Sequence, residues 1–285
     1  HGHSSIDKAV RIAGYGAERL RHVPARPDQS MDPDALEEAI IADKAEGLTP
    51  AAVVASIGTT SSTAIDPIPE VAEVASNHGL WLHVDAAYAG TAAVLPEMRW
   101  ILDGLDGADS YVFNPHKWML TNFDCSAFFV ADRAHLIETL SIQPEYLRNR
   151  ATESGAVIDY RDWQIPLGRR FRALKLWFVI RSFGVEGIRA HVRRGIDMAQ
   201  ELAGWVEAHP DFEIAAPHPF SLVCFRHRGG DAVNKRILET INASGEAYIT
   251  HTVLDGAYTL RVAIGTPTTT IEHVRHLWEK IQAAT

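Results

Sequence analysis

The sequence predicts an α/β fold: a mostly parallel sheet with helices on its faces, followed by a small C-terminal α+β unit. Short continuous apolar runs recur at 51–57, 80–84 and 111–113, as in strands buried on both faces. Helix-like segments with their own start and stop signals alternate with these runs. A third observation is positional. Thr60, Asp85 and residues 114–117 all fall just past the carboxyl ends of apolar runs, where ligands sit in such sheets.

The elements follow in order. Ser4 with Asp7 three residues on has the form of a capping box, and Ile6, Ala9, Val10 and Ala13 continue at helical spacing until Gly14 and Gly16. Residues 18–23 read as extended. Asp32 before Pro33 is an N-cap with proline in the first helical position, and the helix is expected to run to Gly47. After the 51–57 strand and its Gly58-Thr59-Thr60 turn comes a helix over 69–78, closed by Gly79. The 80–84 strand, a short helix at 97–103, the 111–113 strand and a further strand at 126–130 complete the sheet. Periodicity fades over 141–168, a polar stretch with Tyr146, Arg148, Arg150 and Arg161 whose length suits a lid. Helices are expected at 171–183 and 185–209. The α+β unit then has a strand at 220–225, a helix at 231–242, a hairpin of 248–253 and 259–264 around Asp255-Gly256, and a last helix at 269–283. The boundary between a large domain, 1–187, and a small one, 188–285, is placed near Gly187.

Composition narrows the function classes. With 285 residues, 46% hydrophobic and 22% charged, the chain is ordinary for a globular protein. A net charge of −9 argues against nucleic-acid and anionic-membrane surfaces, although Arg169, Arg170 and Arg172 cluster locally, as do Arg193 and Arg194. Two cysteines, Cys125 and Cys224, each inside an apolar run, suggest buried thiols in a reducing compartment. No apolar run is long enough to span a bilayer and no signal-peptide pattern is present, so a cytoplasmic protein is expected.

Chemistry concentrates between residues 80 and 118. One apolar run ends in Asp85; the next ends in Asn114, His116 and Lys117. An acid at one strand end and a lysine at its neighbour suit an enzyme holding pyridoxal phosphate. The lysine would bond the cofactor aldehyde, and the carboxylate would keep the ring nitrogen protonated. Lys117 sits in Asn-Pro-His-Lys-Trp, where desolvation would favour the neutral amine. Taken alone, a lysine is more often solvated, and a strand-end aspartate more often a helix cap or an arginine partner. The pair, with small Ala86 and Ala87 leaving room for a flat ring, favours the cofactor. Thr60 and Ser61 in GTTSS, and Asn114 with His116, are candidate phosphate donors, although Ser/Thr-rich turns are common. A metal-hydrolase reading rests on His1-x-His3 and His83-x-Asp85, but a further ligand cluster is missing, so no metal is expected.

Five segments resemble a known family: HVDAAYAG (83–90), NPHKW (114–118), NFDCSAFFV (122–130), the long DYRDWQIPLGRRFRALKLWFVIRSFGVEG (159–187), and LVCFR (222–226). They are similar to the group II pyridoxal-phosphate decarboxylases, and within these to the aromatic-L-amino-acid decarboxylases. The resemblance extends over essentially the whole chain. It implies the fold type I architecture of PLP-dependent transferases and pyridoxal 5'-phosphate as cofactor. Lys117 matches the Schiff-base lysine and Asp85 the acid paired with the pyridine nitrogen. His3 matches the histidine stacked on the ring and touching substrate, and Thr60 a threonine beside the cofactor. Asn114 and His116 match groups around the phosphate, and Tyr146 the tyrosine of the mobile catalytic loop.

The implied reaction removes the carboxyl group of an aromatic L-amino acid, such as tryptophan, 5-hydroxytryptophan or DOPA, giving the amine and carbon dioxide. Tyr146 favours decarboxylation, because phenylalanine there accompanies aldehyde synthases; Gly168 favours indole or broad aromatic substrates. The alternatives are a decarboxylase for another amino acid, an aldehyde synthase, or a non-catalytic piece serving as a folding or dimerisation partner. Family members carry roughly a further third of chain before the HSS motif. The sequence is therefore expected to be an N-terminally incomplete large domain with its small domain, homodimeric with the full-length family chain. A sheet cut in this way is expected to expose strand edges and apolar surface.

Overall fold

A computed structural model of the chain describes residues 1–142 and 157–285. The first part is a four-stranded sheet in the order β1-β2-β3-β4, formed by Ala52–Ser56, Trp81–Asp85, Ser110–Phe113 and Ala127–Val130. β1, β2 and β3 are parallel, and β4 runs antiparallel to β3. Ser56 pairs with Asp85, and Asp85 with Val112, so the carboxyl ends of the three parallel strands lie side by side.

Local chemistry explains most helix boundaries. α2 (Pro33–Ala45) starts where the Asp32 carboxylate accepts the Asp34 amide at 3.1 Å, with proline at its first position. α3 (Ile68–His78) buries Ile68, Val71, Ala72 and Ala75 on the core. That stripe meets Leu82 and Val84 of β2, both fully buried, and each such side chain contributes about 1.5–3 kcal/mol of burial. At α1 (Ser5–Ile12) the expected capping box does not form. Ser4 is already in helical geometry and its side chain makes no cap bond; His3 Nδ1 instead receives the Ser5 amide at 3.1 Å. α1 buries no residue, and a cavity of about 830 Å³ separates it from α2 and from β1, an edge strand of this sheet.

Further departures from expectation are small and local. The 97–103 segment is a 3₁₀ turn, Pro96–Leu102, and the 18–23 segment starts in another, Ala17–Arg19. α4 (Pro115–Trp118) is a single turn, and α5 (Arg133–Leu140) is a helix that the apolar pattern does not announce, because it buries nothing. Of the expected lid, residues 143–156, with Tyr146, Arg148 and Arg150, lie outside the described residues, and Tyr160–Trp163 is a 3₁₀ turn.

α6 (Arg172–Ala208) joins the two expected helices across a break at Gly184, whose φ of 64° and ψ of 175° are not helical. Its later half serves both halves of the molecule. Ile188 and Val192 enter the core under the first sheet, while Met198, Ala199, Leu202, Ala203 and Val206 enter a second core. That second core underlies an antiparallel sheet ordered β5-β6-β8-β7. Its strands are β5 (Phe212–Ile214), β6 (Leu222–His227), β7 (Thr250–Leu254) and β8 (Ala257–Ala263), with α7 (Asp231–Ser244) and α8 (Ile271–Ala283) packed on it. β7 and β8 are joined by Asp255 and Gly256, both at positive φ (49° and 78°), the two-residue turn that matches strand twist.

Candidate active site

The strand ends build the site. Beyond β1 the chain turns through Gly58 and Thr59, whose amides both donate to the Ala64 carbonyl, at 2.9 and 3.0 Å. The Thr59 hydroxyl caps the turn, accepting the Ala64 amide at 3.1 Å. Below it, Asp66 accepts the Ser56 amide at 2.6 Å and the Met31 amide at 2.7 Å, which ties the end of β1 to the segment before α2. Burial pushes the Asp66 carboxyl above its usual range, and these two amide bonds oppose that rise.

Asp85 closes β2, and its carboxylate accepts the Ala87 amide at 2.9 Å. This bond partly offsets the cost of a half-buried carboxylate and fixes where its oxygens point. Beyond β3, the Asn114 amide donates to the Ala87 carbonyl and the Lys117 amide to the Asn114 carbonyl, each at 2.9 Å. The one-turn α4 is thus hung directly on the residues that follow Asp85. Trp118, buried next to Lys117, stacks on Tyr88 with centroids 4.9 Å apart and anchors α4 from beneath.

A cavity of about 160 Å³ opens among these ends. His3, Thr60, Asp85, Ala87 and Lys117 all line it, so the structure brings these five sequence-derived candidates together. In its uncharged form His3 carries its proton on Nε2, because Nδ1 accepts the Ser5 amide. Asn114 and His116 are not in the cavity lining. His116 Nδ1 lies 2.7 Å from the Cys125 carbonyl oxygen and 3.0 Å from its amide, and its ring packs edge-on against Phe123. The buried Asn114 Oδ1 has no hydrogen-bond partner among the described residues. Lys117 is exposed rather than desolvated, because its side chain faces the cavity and not the core. Gly168 is exposed and outside the lining, and a Cβ there would meet no atom within 4 Å. Tyr146 lies outside the described residues.

The lining also includes Ser56, Thr63, Tyr88, Leu222, Arg261 and Ala263, to none of which the sequence assigned a role. Tyr88 is half-buried with its hydroxyl turned inward, where desolvation pushes it up to about 12, and it stays a phenol bonded to Ser221 Oγ at 2.6 Å. Arg261 had one visible mark: a charged residue inside the apolar strand TLRVAI. His83 does share the Asp85 face of β2, both being half-buried where Leu82 and Val84 are buried. It is, however, engaged by Ser110 Oγ at 2.9 Å, and burial pushes its imidazole below the usual value while Asp85 pulls it up. Among the described residues no group of three or more His, Cys, Asp or Glu could hold a metal ion.

Known proteins resemble the chain in sequence and in fold. Residues 1–228 match the model of the pyridoxal-dependent decarboxylase conserved domain. The chain is 43% identical to tryptophan decarboxylase 2 of Oryza sativa subsp. japonica, over 98% of its own length and 58% of that protein. It is 44% identical to a phenylacetaldehyde synthase of Arabidopsis thaliana, over 98% of its length and 59% of that protein. Its fold superposes on the crystal structure of Oryza sativa TDC with PLP and tryptamine at a TM-score of 0.95, with 42% identity, covering 99% of this chain and 60% of that one. The chain therefore spans somewhat more than half the length of the relatives it matches.

Proposed function

The chain belongs to the pyridoxal-dependent decarboxylase family, and we propose that it carries the cofactor-holding centre of an aromatic L-amino acid decarboxylase. The observation that carries the reading is one cavity in which Lys117, Asp85, Thr60 and Ala87, beyond adjoining strand ends, meet His3 from the segment before α1. That donor set fits pyridoxal phosphate: an amine for its aldehyde, a carboxylate for its ring nitrogen, and small residues where a flat ring must approach.

Lys117 would hold the group covalently through Nζ. Asp85, oriented by the Ala87 amide, would face the pyridine nitrogen, and His3 would cover the ring. Thr60 would sit beside it, while Asn114 and His116, which do not line the cavity, would support its wall through the Ala87 and Cys125 backbone. Bound pyridoxal phosphate supplies a conjugated ring that accepts the electron pair left when the substrate loses its carboxyl group. The chain's own task is to hold the amino acid with that bond across the ring and to keep Asp85 charged. It must then return a proton to the α-carbon, which we assign to Tyr146. We assign aromatic substrates on the strength of the tryptophan decarboxylase likeness. The working unit is a homodimer of the full-length polypeptide, divided near Gly187 into a large and a small domain, and it resides in the cytoplasm. Among the described residues no helix is long and apolar enough to cross a membrane.

A second reading, aldehyde synthesis, is favoured by the 44% identity to the phenylacetaldehyde synthase. Product analysis of the full polypeptide with L-tryptophan, L-tyrosine and L-phenylalanine separates the two. Amine with carbon dioxide and no oxygen uptake supports the decarboxylase; aldehyde with carbon dioxide, ammonia and peroxide, formed at the expense of molecular oxygen, overturns it in favour of the synthase. No turnover of any of the three would remove the aromatic assignment.

A further inference from the structure

Across three strands of the small sheet lies a row of side chains aimed at the turn after β1. Cys224 on β6 pairs with Arg261 on β8, which pairs in turn with Thr250 on β7. All three guanidinium nitrogens of Arg261 are engaged. Nη2 donates to the Thr60 carbonyl at 2.6 Å, Nε to the Ser61 carbonyl at 2.8 Å and Nη1 to Thr250 Oγ1 at 2.9 Å. The Cys224 thiol adds a donor to the Ser61 carbonyl at 3.4 Å. The turn's own hydrogen bonds are spent elsewhere, on the Thr59 and Ser62 oxygens and on the Ala64 carbonyl. The tip of the turn is thus met from the small sheet, 200 residues further along the chain.

We infer that Arg261 is a positioning residue: it fixes the Thr60–Ser61 turn, and so determines whether the cavity wall bearing Thr60 is in place to receive the cofactor. Arg261 also lines the cavity with Lys117 and Asp85, so the clamp and the site share one wall. A guanidinium suits the task because its rigid fork presents two donors to two successive carbonyls in fixed geometry, which a rotatable ammonium on a flexible stem does not. The clamp makes the seat of the large sheet depend on a strand of the small one. Tyr88, bonded to Ser221, is a second bridge between the same two parts.

The inference rests on reading the cavity as a cofactor seat, and the test separates the two. In the full-length protein, Arg261→Met and Arg261→Lys are compared with wild type and with Ile237→Val, which loosens the small core away from the turn. Three quantities are read: the pyridoxal phosphate dissociation constant from its visible absorbance, the yield of reductive trapping on Lys117, and the urea midpoint of the cofactor-free protein. Loss of two charge-assisted hydrogen bonds at the wall is expected to weaken cofactor binding about tenfold to a hundredfold in Arg261→Met, with little recovery in Arg261→Lys. Ile237→Val is expected to lower the urea midpoint and leave cofactor binding at the wild-type level. Wild-type affinity in Arg261→Met, full rescue by lysine, or an equal loss in Ile237→Val would each overturn the inference. A wild-type protein that takes up no cofactor would overturn the reading beneath it instead.

Discussion

Gly58 offers a worked test of how tightly the turn beside the cavity is built. Its φ of +82° lies in the left-handed region, and a Cβ placed there would stand 2.5 Å from Ala89 Cβ. Ala89 is fully buried and cannot easily give way. Gly256, in the β7–β8 turn, has a comparable φ of +78°, but a Cβ there would meet nothing within 4 Å. The two glycines therefore share the conformational penalty and differ in contact. Gly256→Ala should cost about 1–2 kcal/mol, the left-handed penalty alone. Gly58→Ala should add about 1–3 kcal/mol of overpacking, for a total of about 2–5 kcal/mol. Equilibrium urea unfolding of cofactor-free protein reads the difference directly, with unchanged m-values as the condition for comparison. Equal losses in the two variants, or a smaller loss at Gly58, would refute the close-packing argument. Gly58→Ala should also lower cofactor retention, since it moves the turn that carries Thr60.

Two further predictions follow from buried groups. His83 and His191 are both held below their ordinary value of 6.5, chiefly by burial, with Arg194 adding to the effect at His191. In the unfolded chain they protonate first, so stability is complete above that value and is lost as pH falls through it toward the depressed folded values. The urea midpoint should therefore drop between about pH 7.5 and about pH 5.5, and the drop should shrink in a His83→Gln/His191→Gln protein; an unchanged slope would contradict the assignment. Trp118 is 1% exposed, stacked on Tyr88 and edge-on to Phe220. Trp118→Ala should cost about 3–5 kcal/mol in urea unfolding, and a loss below about 1 kcal/mol would mean that α4 is not anchored through this ring.

Much of the architecture was legible because buried parallel strands write themselves as short apolar runs. Those ending at Ser56, Asp85 and Phe113 could be placed from the sequence, and with them the line of strand ends where Thr60, Asp85 and Lys117 meet. The Asp255-Gly256 turn was legible for a different reason: only residues tolerant of positive φ fit it. Elements that bury little leave no stripe to read. α5 has no buried residue, and β5 is three residues long, too short for any periodicity to emerge. The Ser4 capping box failed because the pattern shows which side chains could cap, not that Ser4 itself would take helical φ and ψ (−59° and −8°) in place of the extended geometry a capping side chain needs. Of the Arg261 clamp, only a charge inside an apolar strand was legible; its partners are backbone carbonyls 200 positions away that carry no sequence mark.

Lys117 and Asp85 are proposed to form one cofactor seat. The most direct test is borohydride reduction of the purified full-length protein with pyridoxal phosphate, followed by peptide mapping, with Lys117→Ala and Asp85→Asn alongside. One cofactor-sized adduct is expected, on Lys117, absent from Lys117→Ala and reduced at limiting cofactor in Asp85→Asn. An adduct spread over surface lysines, or none on Lys117 in the full-length protein, would contradict it.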